Sequence, residues 1–155
     1  MIIRQICVIS VQISFVMLYE DKTKKIIQAF YKVYNTLGYG FLEKVYQNAL
    51  LIELRKMDFQ CEGQFPVKVY YDDFQVGDYY ADIIVDNCVI LELKAAEAIC
   101  EEHEYQLINY LKATEIEVGL LLNFGKGPEF RRKIFTNQKN KWNTDNTNSK
   151  DSHRD

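Results

Sequence analysis

From Asp21 to Leu37 the apolar residues Ile26, Ile27, Phe30, Val33, Tyr34 and Leu37 recur at helical spacing, and Gly38 and Gly40 supply the stop. A second helical stripe runs from Leu42 to Met57 through Leu42, Tyr46, Ala49, Leu50 and Leu54. The pattern then changes to β-branched and aromatic runs, "VKVYY", "DYYADIIV" and "CVILELK", separated by the polar turns "DDFQVG" and "DN". This predicts a three-stranded meander. Helical spacing returns from about Ala96 to Lys112 through Ile99, His103, Leu107 and Tyr110, and the apolar "EVGLLLNFG" predicts a further strand. The order is helix, helix, strand, strand, strand, helix, strand, an α/β (α+β) arrangement.

The two ends follow other patterns. Ile9, Val11, Ile13 and Phe15 alternate with Ser10, Gln12 and Ser14, the period of a half-buried strand. The alternative, preferred here, takes residues 1–16 as an extension ahead of a natural start at Met17. Arg4 and the interspersed Gln and Ser leave no run near the ~18 apolar residues that span a bilayer, and no small-residue cleavage site precedes "EDKTKK". Residues 137–155 hold almost nothing to bury, so a disordered tail is expected after a domain over 17–136.

Within the meander, "DIIVDNCVILELK" carries Asp82, Glu92 and Lys94 in an otherwise apolar stretch. A two-residue turn would set Asp82 opposite Leu91. A three-residue turn, Asp86 to Cys88, sets Val85 opposite Val89 and Asp82 opposite Glu92. The second register gathers Ala81, Ile83, Val85, Val89, Leu91 and Leu93 on one apolar face and all three charges on the other, so burial favours it. Asn87 tolerates the left-handed backbone that such turns use. Two facing carboxylates repel by up to about 1 kcal/mol on an exposed sheet. Lys94 could offset this as a plain surface ion pair, or the two acids could hold a hard cation such as Mg²⁺ or Mn²⁺.

The 155-residue chain, 48% hydrophobic, suffices for one core. Its four cysteines, with no C-x-x-C pair, read as reduced thiols of a cytoplasmic protein. A net charge of −3 argues against a broad basic surface for nucleic acid, though not against a local groove.

Asp82 followed by Glu92-Leu93-Lys94 resembles the D...(D/E)xK signature of the PD-(D/E)XK nuclease superfamily, with Ala81 where a proline often stands. "GFLEKVY", with Gly40, Glu43 and Tyr46, is similar to the motif of its GxxExxY family, and "QLINY", with Gln106 and Tyr110, to the Q-x-x-x-Y motif of its RecB-like branch. The resemblance runs from about Lys24 to Arg132. It implies an α-β-β-β-α-β core with an extra N-terminal helix, and a metal-dependent nuclease acting on DNA. It further implies Asp82, Glu92 and the Leu93 carbonyl as ligands of Mg²⁺ or Mn²⁺, with Glu43 as a further acidic ligand or acting through water, and Lys94 as the catalytic lysine. Gln106 and Tyr110 would line the cleft, contacting Lys94 or phosphate, and Tyr46 would face substrate, pack in the core, or both. An iron–sulfur cluster is not expected, because the cysteines do not match that pattern.

Candidate phosphate contacts are Lys44, Lys68, Lys112, Lys126, Arg131, Arg132 and Lys133, of which only the last three cluster in sequence. His103 is left outside the core site. The rival reading is a noncatalytic module that keeps the fold and binds nucleic acid or protein, but such a module needs no convergent acids. No membrane partner is expected, and the oligomeric state, a homodimer included, stays open.

Overall fold

Helix α1 spans Ile2–Leu37 in a computed structural model that describes the backbone of residues 2–136 and the side chains of residues 19–136. The alternation at Ile9–Phe15 therefore does not make a strand. With neither Gly nor Pro between positions 2 and 37, a helix nucleated on the stripe after Asp21 has nothing to stop it. The expected tail at 137–155 lies outside the described residues.

After the turn at Gly38–Leu42 come α2 (Glu43–Lys56), β1 (Cys61–Tyr71), β2 (Phe74–Val85), β3 (Val89–Lys94), α3 (Glu101–Ala113), β4 (Val118–Phe124) and β5 (Pro128–Ile134). The strands form one mixed sheet in the order β1-β2-β3-β4-β5. β3 and β4 run parallel, joined through α3, and the other neighbours are antiparallel. Helices α1 and α2 cover one face, with Phe30, Tyr46 and Leu50 packed on Ile83, Leu91 and Leu122. Helix α3 covers the other, with Leu107 and Leu111 on Ile84, Ile90 and Leu121. Burial on both faces explains why β3 and β4 read as continuous apolar runs. Among the described residues no helix is long and apolar enough to cross a membrane.

Three sheet features were not expected, the first being that β2 begins at Phe74, so that of the expected turn "DDFQVG" only Asp72 and Asp73 turn. β1 begins at Cys61, well before "VKVYY", and β5 adds a strand where only a basic cluster was read. Both lie at sheet edges, where Pro66, Gly63 and the charges of "PEFRRKI" are tolerated because one side of the ladder needs no partner.

The β2–β3 turn is the three-residue one. Val85 pairs with Val89 and Ile83 with Leu91, and Asp86 and Asn87 take positive φ (49° and 53°). The expected single apolar face is corrected at one position: Ile83 and Val85 face α1 and α2, but Ala81 packs on the α3 side. The β1–β2 ribbon turns over at Asp82, beside Gln64 at φ 57°. Paired residues before the turn-over (Cys61–Val85, Gly63–Ile83) and after it (Phe65–Ala81, Val67–Tyr79) bury opposite faces.

Candidate active site

That turn-over parts two strands. Pairing of β2 with β3 ends at Ile83–Leu91, while β3 continues along β4 as far as Lys94–Asn123. A fork opens where ladder hydrogen bonds stop, and buried backbone groups there need other partners. Asp82 supplies one: its Oδ2 accepts from the Leu93 N–H at 2.7 Å. Gln47 of α2 supplies another, donating through Nε2 to the Asp82 carbonyl at 2.9 Å. The space Gln47 uses exists because residue 63 is glycine; a Cβ there would lie 2.9 Å from Gln47 Nε2.

Glu92 and Lys94 point to the same side of β3 as Ile90, towards α3. Glu92 is 4% exposed. Its Oε1 takes the Lys94 ammonium at 3.4 Å, while its Oε2 is buried without a hydrogen-bond partner. Burial first, then the neighbouring Asp82 charge, pushes the Glu92 carboxyl from 4.5 up to about 8. Burial also raises Asp82, an effect opposed by the Leu93 N–H and reinforced by Glu43. Lys94 donates to Gln106 Oε1 at 3.0 Å, and Gln106 Nε2 donates to the Tyr110 hydroxyl at 2.9 Å. Residues 106 and 110, one turn apart on α3, thus complete a chain of hydrogen bonds from Tyr110 through Gln106 and Lys94 to Glu92.

Glu43 is the exposed first residue of α2, close enough to act on the Asp82 charge. It is not gathered with the two carboxylates: among the described residues no three His, Cys, Asp or Glu side chains form a cluster able to hold an ion. Tyr46 is fully buried. Its ring stacks on Phe124 at 4.3 Å, and its hydroxyl donates to the Gly38 carbonyl at 2.6 Å and accepts from the Phe41 N–H at 3.3 Å. A direct substrate contact through Tyr46 is thereby corrected. Its packing and hydroxyl pin the turn that begins α2, and Gly40, at φ 110°, lets that turn form.

The basic cluster is corrected at two of its three positions. A strand sends successive side chains to opposite faces, so Arg131 and Lys133 face α3, while Arg132, opposite the core residue Leu120, faces the other way. Arg131 pairs with Glu104 at 3.5 Å and with Glu129, and Lys133 with Glu104. Arg131 and Lys133 tie β5 to α3 and are not a free phosphate grip, whereas Arg132 makes no ion pair among the described residues and its Nε is buried without a partner. His103 accepts from the Cys100 N–H at 3.4 Å, a role at the start of α3.

A protein-family model of the PD-(D/E)XK nuclease superfamily matches residues 20–134. The chain belongs to the PD-(D/E)XK nuclease superfamily. No curated protein matches it. Among solved structures it is similar to SSO0001, at 18% identity and a TM-score of 0.47, over 81% of this chain; it spans 64% of the length of that protein.

PD-(D/E)XK proteins are nuclease-type domains that in general use a divalent metal. The residues present fit such an ion: a buried carboxylate oxygen with no hydrogen bond needs a proton or a cation, and carboxylate and carbonyl oxygens suit hard cations. Two residues of this PD-(D/E)XK site escaped sequence reasoning. Gln47, four after Glu43 on one helical face, looks like any surface glutamine. Asn123, fully buried, binds the Ala96 N–H and carbonyl, each at 3.0 Å, and fixes the loop leaving β3. Its signal was a lone amide in the apolar run "GLLLNFG".

Proposed function

We propose that this protein is a metal-dependent DNA nuclease, and that Gly40, Glu43 and Tyr46 mark it as a GxxExxY-type member with a Gln106–Tyr110 motif on α3. The observation that carries the reading is the unpartnered Glu92 Oε2 at the strand fork, beside an ammonium held on its other side by Gln106. Asp82, Glu92 and the Leu93 carbonyl would hold Mg²⁺ or Mn²⁺, with Glu43 acting on it through water. When bound, the ion lowers the pKa of water and neutralises charge on the phosphate.

The chain's own residues do the rest. Asp82 is held in place by the Leu93 N–H, and Gln47 fixes its backbone. The Lys94 side chain is only 16% exposed, and its ammonium is aimed by Gln106 at the carboxylates, where it can steady charge on a non-bridging phosphate oxygen or move a proton from the attacking water. A concavity of about 620 Å³ lined by Gly40, Glu43, Lys44, Ala96 and Lys126 borders the site and offers two cations for the flanking phosphates.

Purified protein incubated with linear, circular and single-stranded DNA in Mg²⁺ or Mn²⁺ tests this reading. Cleavage that disappears in EDTA, in Glu92→Gln and in Lys94→Ala is expected. DNA binding with no cleavage under any of these conditions would instead assign a noncatalytic module that keeps the nuclease fold.

A further inference from the structure

Beyond the fork, the β1–β2 hairpin extends past the sheet as an arm closed by Asp72 and Asp73. A concavity of about 960 Å³ lies between this arm and α3. Its walls include Tyr70 (60% exposed) and Tyr79 (51%) from the arm and Tyr105 (61%) from α3. Its floor includes Gln106 and Tyr110, the two residues that position Lys94. Tyr79 and Tyr110 approach ring to ring at 6.1 Å. Lys68 on the arm and Lys112 on α3 stand on opposite sides, both exposed and neither in an ion pair among the described residues.

Tyr79 leans on Tyr110 and lies over Gly77, yet half of it, and more than half of Tyr70 and Tyr105, stays open to solvent around the one groove. Flat aromatic faces flanked by cations bind unpaired bases and their phosphates, whereas the stacked bases of a duplex offer no free face. We propose that this groove holds single-stranded nucleic acid, with bases stacked on Tyr79 and Tyr105 and phosphates near Lys68 and Lys112, and leads the strand to the carboxylates. The occupant follows from continuity: Gln106 and Tyr110 line the groove, and Gln106 is hydrogen-bonded to Lys94, so whatever lies in the groove lies one side chain away from Lys94 on the α3 side. The proposal rests on the nuclease reading and adds its substrate class.

Binding measured in EDTA by fluorescence anisotropy separates the groove from catalysis. The full-length protein should bind labelled oligothymidylate about tenfold more tightly than a blunt duplex. Tyr105→Ala should weaken oligothymidylate binding about tenfold and Tyr105→Phe hardly at all, since the ring and not the hydroxyl does the stacking. Because Tyr105 is exposed, the melting temperature should not move; Lys112→Glu serves as a second, charge-only variant. Equal affinity for both DNA forms, or undiminished binding by Tyr105→Ala, overturns the proposal. So does a wild-type dimer that Tyr105→Ala dissociates, which would give the groove to a second copy. Tyrosine-dependent binding without cleavage of any DNA would leave the groove standing and sink the nuclease. Glu92-dependent cleavage of single strands at full rate by Tyr105→Ala would do the opposite.

Discussion

Glu92 sets the behaviour of the site at the scale of single residues, because its carboxyl is buried with one oxygen unpartnered. Its pKa, raised to about 8 in the folded protein against about 4.3 in an unfolded chain, means the folded state binds the extra proton between those values. Stability without metal is therefore greatest below the unfolded pKa and is lost as pH rises through the folded one, by up to a few kcal/mol. Urea denaturation in EDTA at about pH 5 and about pH 8 should show this fall, and Glu92→Gln should flatten it. An unchanged or rising midpoint would mean that Glu92 is ionised and paired by Lys94 alone. Tyr46 offers a second residue-scale test. Tyr46→Phe keeps the stack on Phe124 but leaves the Gly38 carbonyl without its donor, at a cost of about 1 kcal/mol in urea denaturation. Cleavage should fall as well, since the turn that places Glu43 loosens.

At the scale of elements, the fork between β2 and β3 depends on α2 reaching the sheet through Gln47, and on Gly63 leaving room for it. Gly63→Ala should displace Gln47 from the Asp82 carbonyl and lower stability by about 1–3 kcal/mol. A double-mutant cycle with Gln47→Ala checks the mechanism: the second substitution should cost little once the first is made. Equal, additive losses would place the strain of Gly63→Ala elsewhere. The same elements show what a sequence reveals. Helices α2 and α3 were legible from their helical period and strands β2 to β4 from short β-branched and apolar runs, and the Asp82–Glu92–Lys94 grouping followed from burial of Ile83 and Leu91. Edge strands were not, since Pro66, Gly63 and the charges of β5 are breaker signals until the ladder shows that one side is free. The basic run at Arg131–Lys133 was misread for the same reason: an unrecognised strand hides its own alternation. Gln47 was illegible because a buried amide and an exposed one are spelled alike, whereas Asn123 could have been picked out by the apolar run around it.

For the whole molecule, a cation bound only by the folded state stabilises it by about 2.7 kcal/mol at a hundredfold excess over Kd. Millimolar Mn²⁺ should therefore raise the melting temperature. Asp82→Asn is the informative variant, because an amide oxygen can still accept the Leu93 N–H while the charge is gone. It should keep most of the metal-free stability and lose the Mn²⁺-induced rise; an equal rise in both proteins would put the ion elsewhere. The sheet that carries the site also has a bare margin along β1, an open row of peptide groups on which another copy could grow. Pro66 has no N–H to offer there, Gln64 bends the strand beside it, and Glu62 and Lys68 line the same strand as exposed charges. Pro66→Val would restore a donor in the middle of that row and straighten a β-rich stretch next to Tyr70 and Tyr71. Light scattering at rising concentration should then report fibrous polymer where the parent stays dispersed. On that outcome, the ring that breaks the expected strand pattern in the sequence acts between molecules, as a guard against one copy templating the next.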